Sequence, residues 1–258
     1  GLNSYISDFF NAVRELSNNP ESLATRTMVR ESADNMTKDF KRVANQLESV
    51  QMDLDTEVKA HVQVINQIAK EIAQLNEKVA SVEIVGATAN DERDRRDLLI
   101  KKLAELIDIH VADGENGMIA VTAGRSAVLV SGFTAMELST AKLGEKGREE
   151  IFYNNSEVST PVKVTQELKG GKIGAVIEIR DKQINEMKDK IDFMAFRLAT
   201  EVNRAHVQGV DRHGKPGGDF FEQPVDMKGC AANFKLAAEI ERDVGQIVTG
   251  VAPNAPSD

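Results

Sequence analysis

FKRVANQLESVQMDLDTEVKAHVQVINQIAKEIAQLNEKVASVEIV, residues 40–85, decides the architecture. Its apolar side chains step by three and four: Phe40, Val43, Leu47, Val50, Leu54, Val58, then past His61 to Ile65, Ile68, Ile72, Leu75, Val79 and Val82. Steps averaging about 3.5 residues put them on one narrow stripe of a helix. No glycine or proline falls between residues 21 and 85. A helix over the stripe runs roughly 60 Å at about 1.5 Å per residue, far beyond the ~11–12-residue average. Such a rod suits a spacer, a bundle or a polymer subunit better than a pocket enzyme. Two four-residue steps adjoin at Leu54 and Val58, a phase shift that locally relaxes a supercoil. The stripe weakens near Asp34 and Asn35, where a break could fall, and Gly86 supplies a stop.

Working outward, Leu2, Tyr5, Ile6, Phe9, Phe10, Val13 and Leu16 have helical spacing and predict a first helix. Asn18-Asn19-Pro20 ends it, with Asn19 suited to cap the next helix and Pro20 to its first position. Asn90 with Asp91 and Glu92 predicts the start of a third helix buried through Leu98, Leu99, Leu103, Leu106 and Ile107. The period then shortens. Residues 109–112, 118–122, 127–130, 135–140, 151–153 and 162–165 read as short strands, punctuated by Asp113-Gly114 and Asn116-Gly117. Residues 142–150 read as a mobile loop tip. Helical spacing returns from Ile173 through Val176, Ile177, Ile184, Met187, Ile191, Met194, Leu198, Val202 and Ala205, closing at Gly209. A glycine-rich turn follows, then one short helix near 239–248, and residues 252–256 read as a linker or chain boundary.

These elements predict a mainly α protein with a smaller β part: an elongated antiparallel bundle of long helices with a small antiparallel β element inserted. Residues 1–108 plus 171–209 form the bundle and 109–170 the β element. Residues 210–258 form a glycine-rich turn and a C-terminal segment that packs back on the rod. Each helix is apolar on one side only and needs a partner.

Composition narrows function. The chain has 258 residues and a formal net charge of −9, which opposes a large nucleic-acid footprint. The clusters Lys41-Arg42, Arg93 to Arg96 and Lys101-Lys102 are interleaved with acids and read as solvated helix faces. Tryptophan is absent, which disfavours large aromatic-lined pockets. Cys230 is the single cysteine and excludes an intramolecular disulfide. No stretch approaches the ~20 apolar residues that span a bilayer, so no membrane role is expected. No signal peptide precedes the first helix, which argues against the general secretory route, and the chain is expected to begin inside its protein.

No chemical motif reads as an active site. Lys169-Gly170-Gly171-Lys172-Ile173-Gly174 lacks phosphate-loop spacing and reads as a turn swinging into a helix. The loop from Asp211 to Asp219 lacks the alternating carboxylates and closing glutamate of a calcium loop and reads as a rigid turn on Gly209, Gly214, Gly217 and Gly218. His61, His110, His206 and His213 show no zinc-site spacing. His61, on the seam, reads as a buried or half-buried histidine satisfied by a neighbouring helix. Asp94-Arg95-Arg96-Asp97 fits either a buried ion network or surface pairing. No catalytic, cofactor-binding or metal-ligating residue is therefore expected, and no cofactor.

One segment carries a resemblance. Val202-Asn203 with His206, Gly209, Asp211, Gly214, Gly217-Gly218 and Phe220-Phe221 resembles the pattern that closes a long helix in the flagellar hook-associated protein 1 family. Asp8-Phe9-Phe10-Asn11 with Asn18-Asn19-Pro20, then Asn90 with Arg96-Asp97-Leu98-Leu99, then Gly170-Gly171-Lys172-Ile173-Gly174 with Arg180-Asp181, resemble further family segments in the same order. The resemblance implies a non-enzymatic subunit of the bacterial flagellum at the junction between hook and filament. It implies export through the flagellar type III apparatus to an extracellular place. The implied partners are copies of itself, hook protein, the second junction protein and, before export, a cytoplasmic chaperone at a terminal region. The family's terminal helices are not recognisable, so the chain is expected to be a core lacking both terminal regions, monomeric by itself. The competing reading is a helical binding or sensor module whose β element contacts a ligand.

Overall fold

The computed structural model describes residues 1–145, 147–154 and 160–250. The reading of 252–256 as a linker and the Lys146 position of the 142–150 loop lie outside them. The architecture is mainly α with a smaller antiparallel β part. The helices are α1 (Leu2–Asn18), α2 (Leu23–Glu83), α3 (Asn90–Leu106), α4 (Gly171–Glu178), α5 (Ile184–His206), α6 (Cys230–Asn233) and α7 (Ala238–Arg242). A π-helical segment, Ile179–Gln183, joins α4 to α5. The strands are β1 (Ile109–Asp113), β2 (Ile119–Ala123), β3 (Ala127–Ser131), β4 (Thr134–Ala135), β5 (Leu138–Lys142), β6 (Glu149–Tyr153) and β7 (Val162–Lys163).

Helix α2 spans 61 residues without a break, about 90 Å at 1.5 Å per residue. At Asp34 and Asn35 the stripe is carried by smaller or less obvious side chains: Ala33, Met36, Thr37 and Phe40 are all buried. Asp34 faces outward and pairs with Lys38. The start of α2 differs from expectation. Asn19 closes α1, its N–H donating to Glu15 and Leu16 carbonyls. Ser22 then caps α2, its Oγ accepting the Thr25 N–H at 3.3 Å.

The chain falls into two compact units, Gly1–Ser49 with Asn185–Asp258, and Val50–Ile184. This division cuts through α2, whereas the segmentation expected from sequence separates helices from strands. The reason is that the C-terminal half of α2 shares its core with the sheets.

In the first unit, Phe9, Ala12 and Leu16 of α1, Val29, Ala33, Met36 and Phe40 of α2, and Ala195 and Ala199 of α5 enclose one core with Phe220, Phe221 and Phe234. The rings of Phe220 and Phe221 are 4.8 Å apart and Phe221 lies 4.7 Å from Phe234, spacings at which offset and edge contacts are favourable. One predicted helix near 239–248 is instead α7 followed by a 3₁₀ turn, Val244–Gln246, capped by the Asp243 carboxylate.

In the second unit, Val58, Val62, Ile65, Ile68 and Ile72 of α2 pack with Leu103 and Ile107, the inward strand residues and Ile173 and Ile177 of α4. The single β element expected is two antiparallel sheets, β1-β2-β3-β4 and β5-β6-β7. The run 135–140 splits between them. Met136 N–H closes onto Leu129 O, ending the first sheet. Leu138 is then held in both directions by Asn66, which donates to its carbonyl at 2.8 Å and accepts its N–H at 2.9 Å. Part of the expected 142–150 loop is strand, since Lys142 pairs with Glu149.

Candidate functional site

The chemistry of this molecule is concentrated where single polar side chains interrupt apolar helix faces. Each grips the backbone of a non-helical segment. Asn76 of α2 is fully buried. It donates to Ile119 O and Gly132 O, both at 2.8 Å, and accepts from Ile119 N–H and the Arg96 guanidinium. Arg96 also donates to Gly117 O at 2.8 Å. The predicted choice between a buried ion network and surface pairing at 94–97 thus resolves as neither. Arg96 alone turns inward, and its buried partners are an amide and a carbonyl. Its buried guanidinium is pushed down in pKa by desolvation, with Arg93 adding to the effect.

A second clamp lies at the phase shift. Gln51 and Asp55, one position past Val50 and Leu54, are buried where those leucine and valine stripe positions are not. Asp55 Oδ1 accepts from Arg180 at 2.9 Å and from Glu149 N–H at 3.1 Å. Gln51 donates to Arg180 O, and its own carbonyl accepts from Arg148 at 2.6 Å. Arg180 also donates to Glu149 O and forks onto both oxygens of Asp181. Burial works against its charge, but Asp181 and Asp55 outweigh it and leave the guanidinium pKa raised. Arg180 sits in the π-helical segment, whose extra residue per turn re-aims side chains.

The third clamp closes the first unit. Asn203 of α5 accepts the N–H groups of Phe220 and Phe221 at 3.0 and 2.8 Å and donates to Phe221 O at 2.9 Å. One turn on, His206 lies between Gly218 O and Val248 N–H. Desolvation lowers its pKa against the opposing pull of the Gly218 carbonyl.

The remaining sequence candidates behave as structure. Gly171 has φ +66, and a Cβ there would stand 2.5 Å from Ile107 N; the turn into α4 needs glycine to touch the end of α3. Asp211 Oδ1 accepts the N–H groups of His213 and Lys215, both at 2.8 Å, making the loop a self-closed turn. His61 is half-buried and its charged neighbour is on its own helix: Nε2 lies 3.6 Å from Glu57, rather than on a neighbouring helix as expected. His110 and His213 are exposed, and His213 pairs with Asp243 at 2.9 Å. Cys230 is buried, and desolvation with nearby Asp192 pushes its thiol up to about 11. Among the described residues no group of three or more His, Cys, Asp or Glu side chains could hold a metal ion. No helix among them is long and apolar enough to cross a membrane.

The sequence reading missed Gln51, Asp55, Asn76, Arg180 and Asn203 as clamps. The phase shift at Leu54 and Val58 lies beside Gln51 and Asp55 but does not point to their partners.

Long helices with a small antiparallel β part, tied by buried polar clamps onto backbone, define a helical scaffold domain. The family model for the flagellar hook-associated protein FlgK helical domain matches residues 1–221, and the chain belongs to that family. It is 28% identical over 284 residues to flagellar hook-associated protein 1 of Bacillus subtilis, covering all of this chain and 56% of that protein. It is 26% identical to the Escherichia coli protein of the same name, covering 85% of this chain and 41% of the relative. The chain thus spans about half the length of the curated relatives it matches. The solved structure of the flagellar hook junction protein FlgK from Burkholderia pseudomallei has the same fold. Its TM-score is 0.79 at 24% identity, over 86% of this chain and 40% of that one.

Proposed function

We propose that this chain is the helical core of a structural subunit at the junction between the flagellar hook and the filament. The observation that carries the reading is the family match, which runs through 221 residues and both compact units. The subunit assembles with copies of itself, with hook protein on one side and the second junction protein on the other. It leaves the cell through the flagellar type III apparatus, is held by a cytoplasmic chaperone before export, and works outside the cell. Its role is mechanical and non-enzymatic, with no cofactor, metal, nucleic acid or membrane as partner. The clamps support this: their polar groups are spent on backbone and on one another, which favours one rigid arrangement over a reactive surface.

Deletion of the full-length gene tests the proposal. The expected phenotype is hooks without filaments, with flagellin released to the medium and restored filaments on complementation. Normal filaments in the deletion strain would overturn it.

A further inference from the structure

His206 is 8% exposed and sits between two backbone groups of opposite character. Its Nδ1 is 2.6 Å from Gly218 O, a pure acceptor, so Nδ1 carries the proton. Its Nε2 is 3.0 Å from Val248 N, a pure donor, so Nε2 must be bare. The neutral Nδ1–H tautomer is the one form of the ring that satisfies both contacts. A proton on Nε2 would set N–H against N–H.

We propose that His206 is a proton-sensitive clasp on the segment 244–250, holding it when the ring is neutral and releasing it when Nε2 is protonated.

The surroundings leave the segment little slack. A Cβ on Gly209 would stand 2.0 Å from Val248 Cγ1 and 2.8 Å from Gly250 O, and one on Gly217 2.5 Å from Val248 Cγ2, so both glycines pack directly against the segment. Arg26 of α2 donates to Ile247 O and, at 2.9 Å, to Thr249 Oγ1, the residues on either side of Val248. Its charge opposes an imidazolium at His206, as desolvation does more strongly, while Gly218 O, Asp219 and Asp211 favour one; the balance lowers the pKa. Phe220 adds an apolar wall 5.4 Å from the ring. The exposed His213, 2.9 Å from Asp243, ties the residue that precedes the segment. Acid therefore frees the segment at Val248, while the Arg212 N–H on Gly245 O and the Val210 N–H on Gly250 O still hold it on either side.

The sign follows from linkage. With the folded pKa below the ordinary histidine value, the unfolded chain takes up the proton first. Stability is unaffected above about pH 6.5, and it falls as pH drops from there until the folded ring itself protonates.

Hydrogen exchange of the 258-residue chain, corrected for the intrinsic pH dependence, tests this. Between about pH 7.5 and 5, protection over 244–250 is expected to fall, because the opened segment takes up the proton that the clasped ring resists. His206→Gln keeps a donor and an acceptor without titrating and should remove the acid step; His213→Asn should keep it. Histidine nitrogen spectra of the unmutated chain should show Nδ1–H at neutral pH. Equal protection at both pH values, an acid step surviving in H206Q, loss of the step in H213N, or the Nε2–H tautomer each overturns the proposal. If H206Q does not fold, the tautomer and the exchange of the unmutated chain decide it.

Discussion

Arg180 carries its charge at 0% exposure, and only because Asp55, Asp181 and the Glu149 carbonyl surround it. Removing it leaves the Asp55 carboxylate, itself 3% exposed, without its closest cation. Arg180→Ala is therefore expected to destabilise by up to about 3–5 kcal/mol in urea unfolding, because a buried carboxylate left with only the more distant Arg148 and Lys142, at 3.8 and 3.9 Å, costs more than the pair contributes. Arg180→Lys should recover only part of this, since a lysine cannot fork onto Asp181 while reaching Asp55. At Asn203, alanine strands the Phe220 and Phe221 N–H groups in the aromatic core, at a cost on the order of 3 kcal/mol. None of these roles was legible locally. A polar residue beside an apolar stripe looks like the start of the solvent face, and the partner that turns it inward lies 125 residues away for Asp55. His206 and Asn203 stood inside a recognised pattern, yet pattern alone gave the turn and not the grip.

At the scale of elements, α2 shows what periodicity can and cannot report. The C-terminal part of its stripe was readable: Val58, Ile65, Ile68, Ile72 and Val79 are buried in the predicted rhythm. The middle was not. Leu47 and Leu54 are only half-buried and Val50 is 37% exposed. Ile65→Ala should cost about 2–5 kcal/mol, whereas Leu47→Ala should cost clearly less, because a half-exposed side chain leaves no closed cavity. Equal losses in the two variants would show that the stripe is uniformly packed after all. Strand positions were legible from alternation, but the partition into two sheets was not. That partition depends on Asn66 meeting Leu138, a contact that no strand pattern encodes. At the join of α3 and α4, Gly171→Ala brings a Cβ within 2.5 Å of Ile107 N at a positive φ. It should lower the melting temperature by several degrees, as about 1–3 kcal/mol of strain does.

The whole molecule has two hydrophobic cores that share no buried residue among those described, one in each compact unit. Both draw on α2, so the helix alone does not say whether they unfold together. Core substitutions can separate the possibilities. Leu129 in β3 and Phe221 in the aromatic cluster are each fully buried, in different cores. Leu129→Ala should cost about 2–5 kcal/mol and Phe221→Ala about 3–5 kcal/mol. Cores without shared side chains are expected to open as separate cooperative units below the global transition. Hydrogen exchange read by peptide should then show Leu129→Ala lowering protection chiefly within Val50–Ile184, and Phe221→Ala chiefly within Gly1–Ser49 and 185–250. Matching losses across both units from either substitution would mean that α2 couples them into one cooperative body. In that case the rigidity of the body would arise from the helix, and the clamps would serve to fasten the sheets and the C-terminal segment onto it.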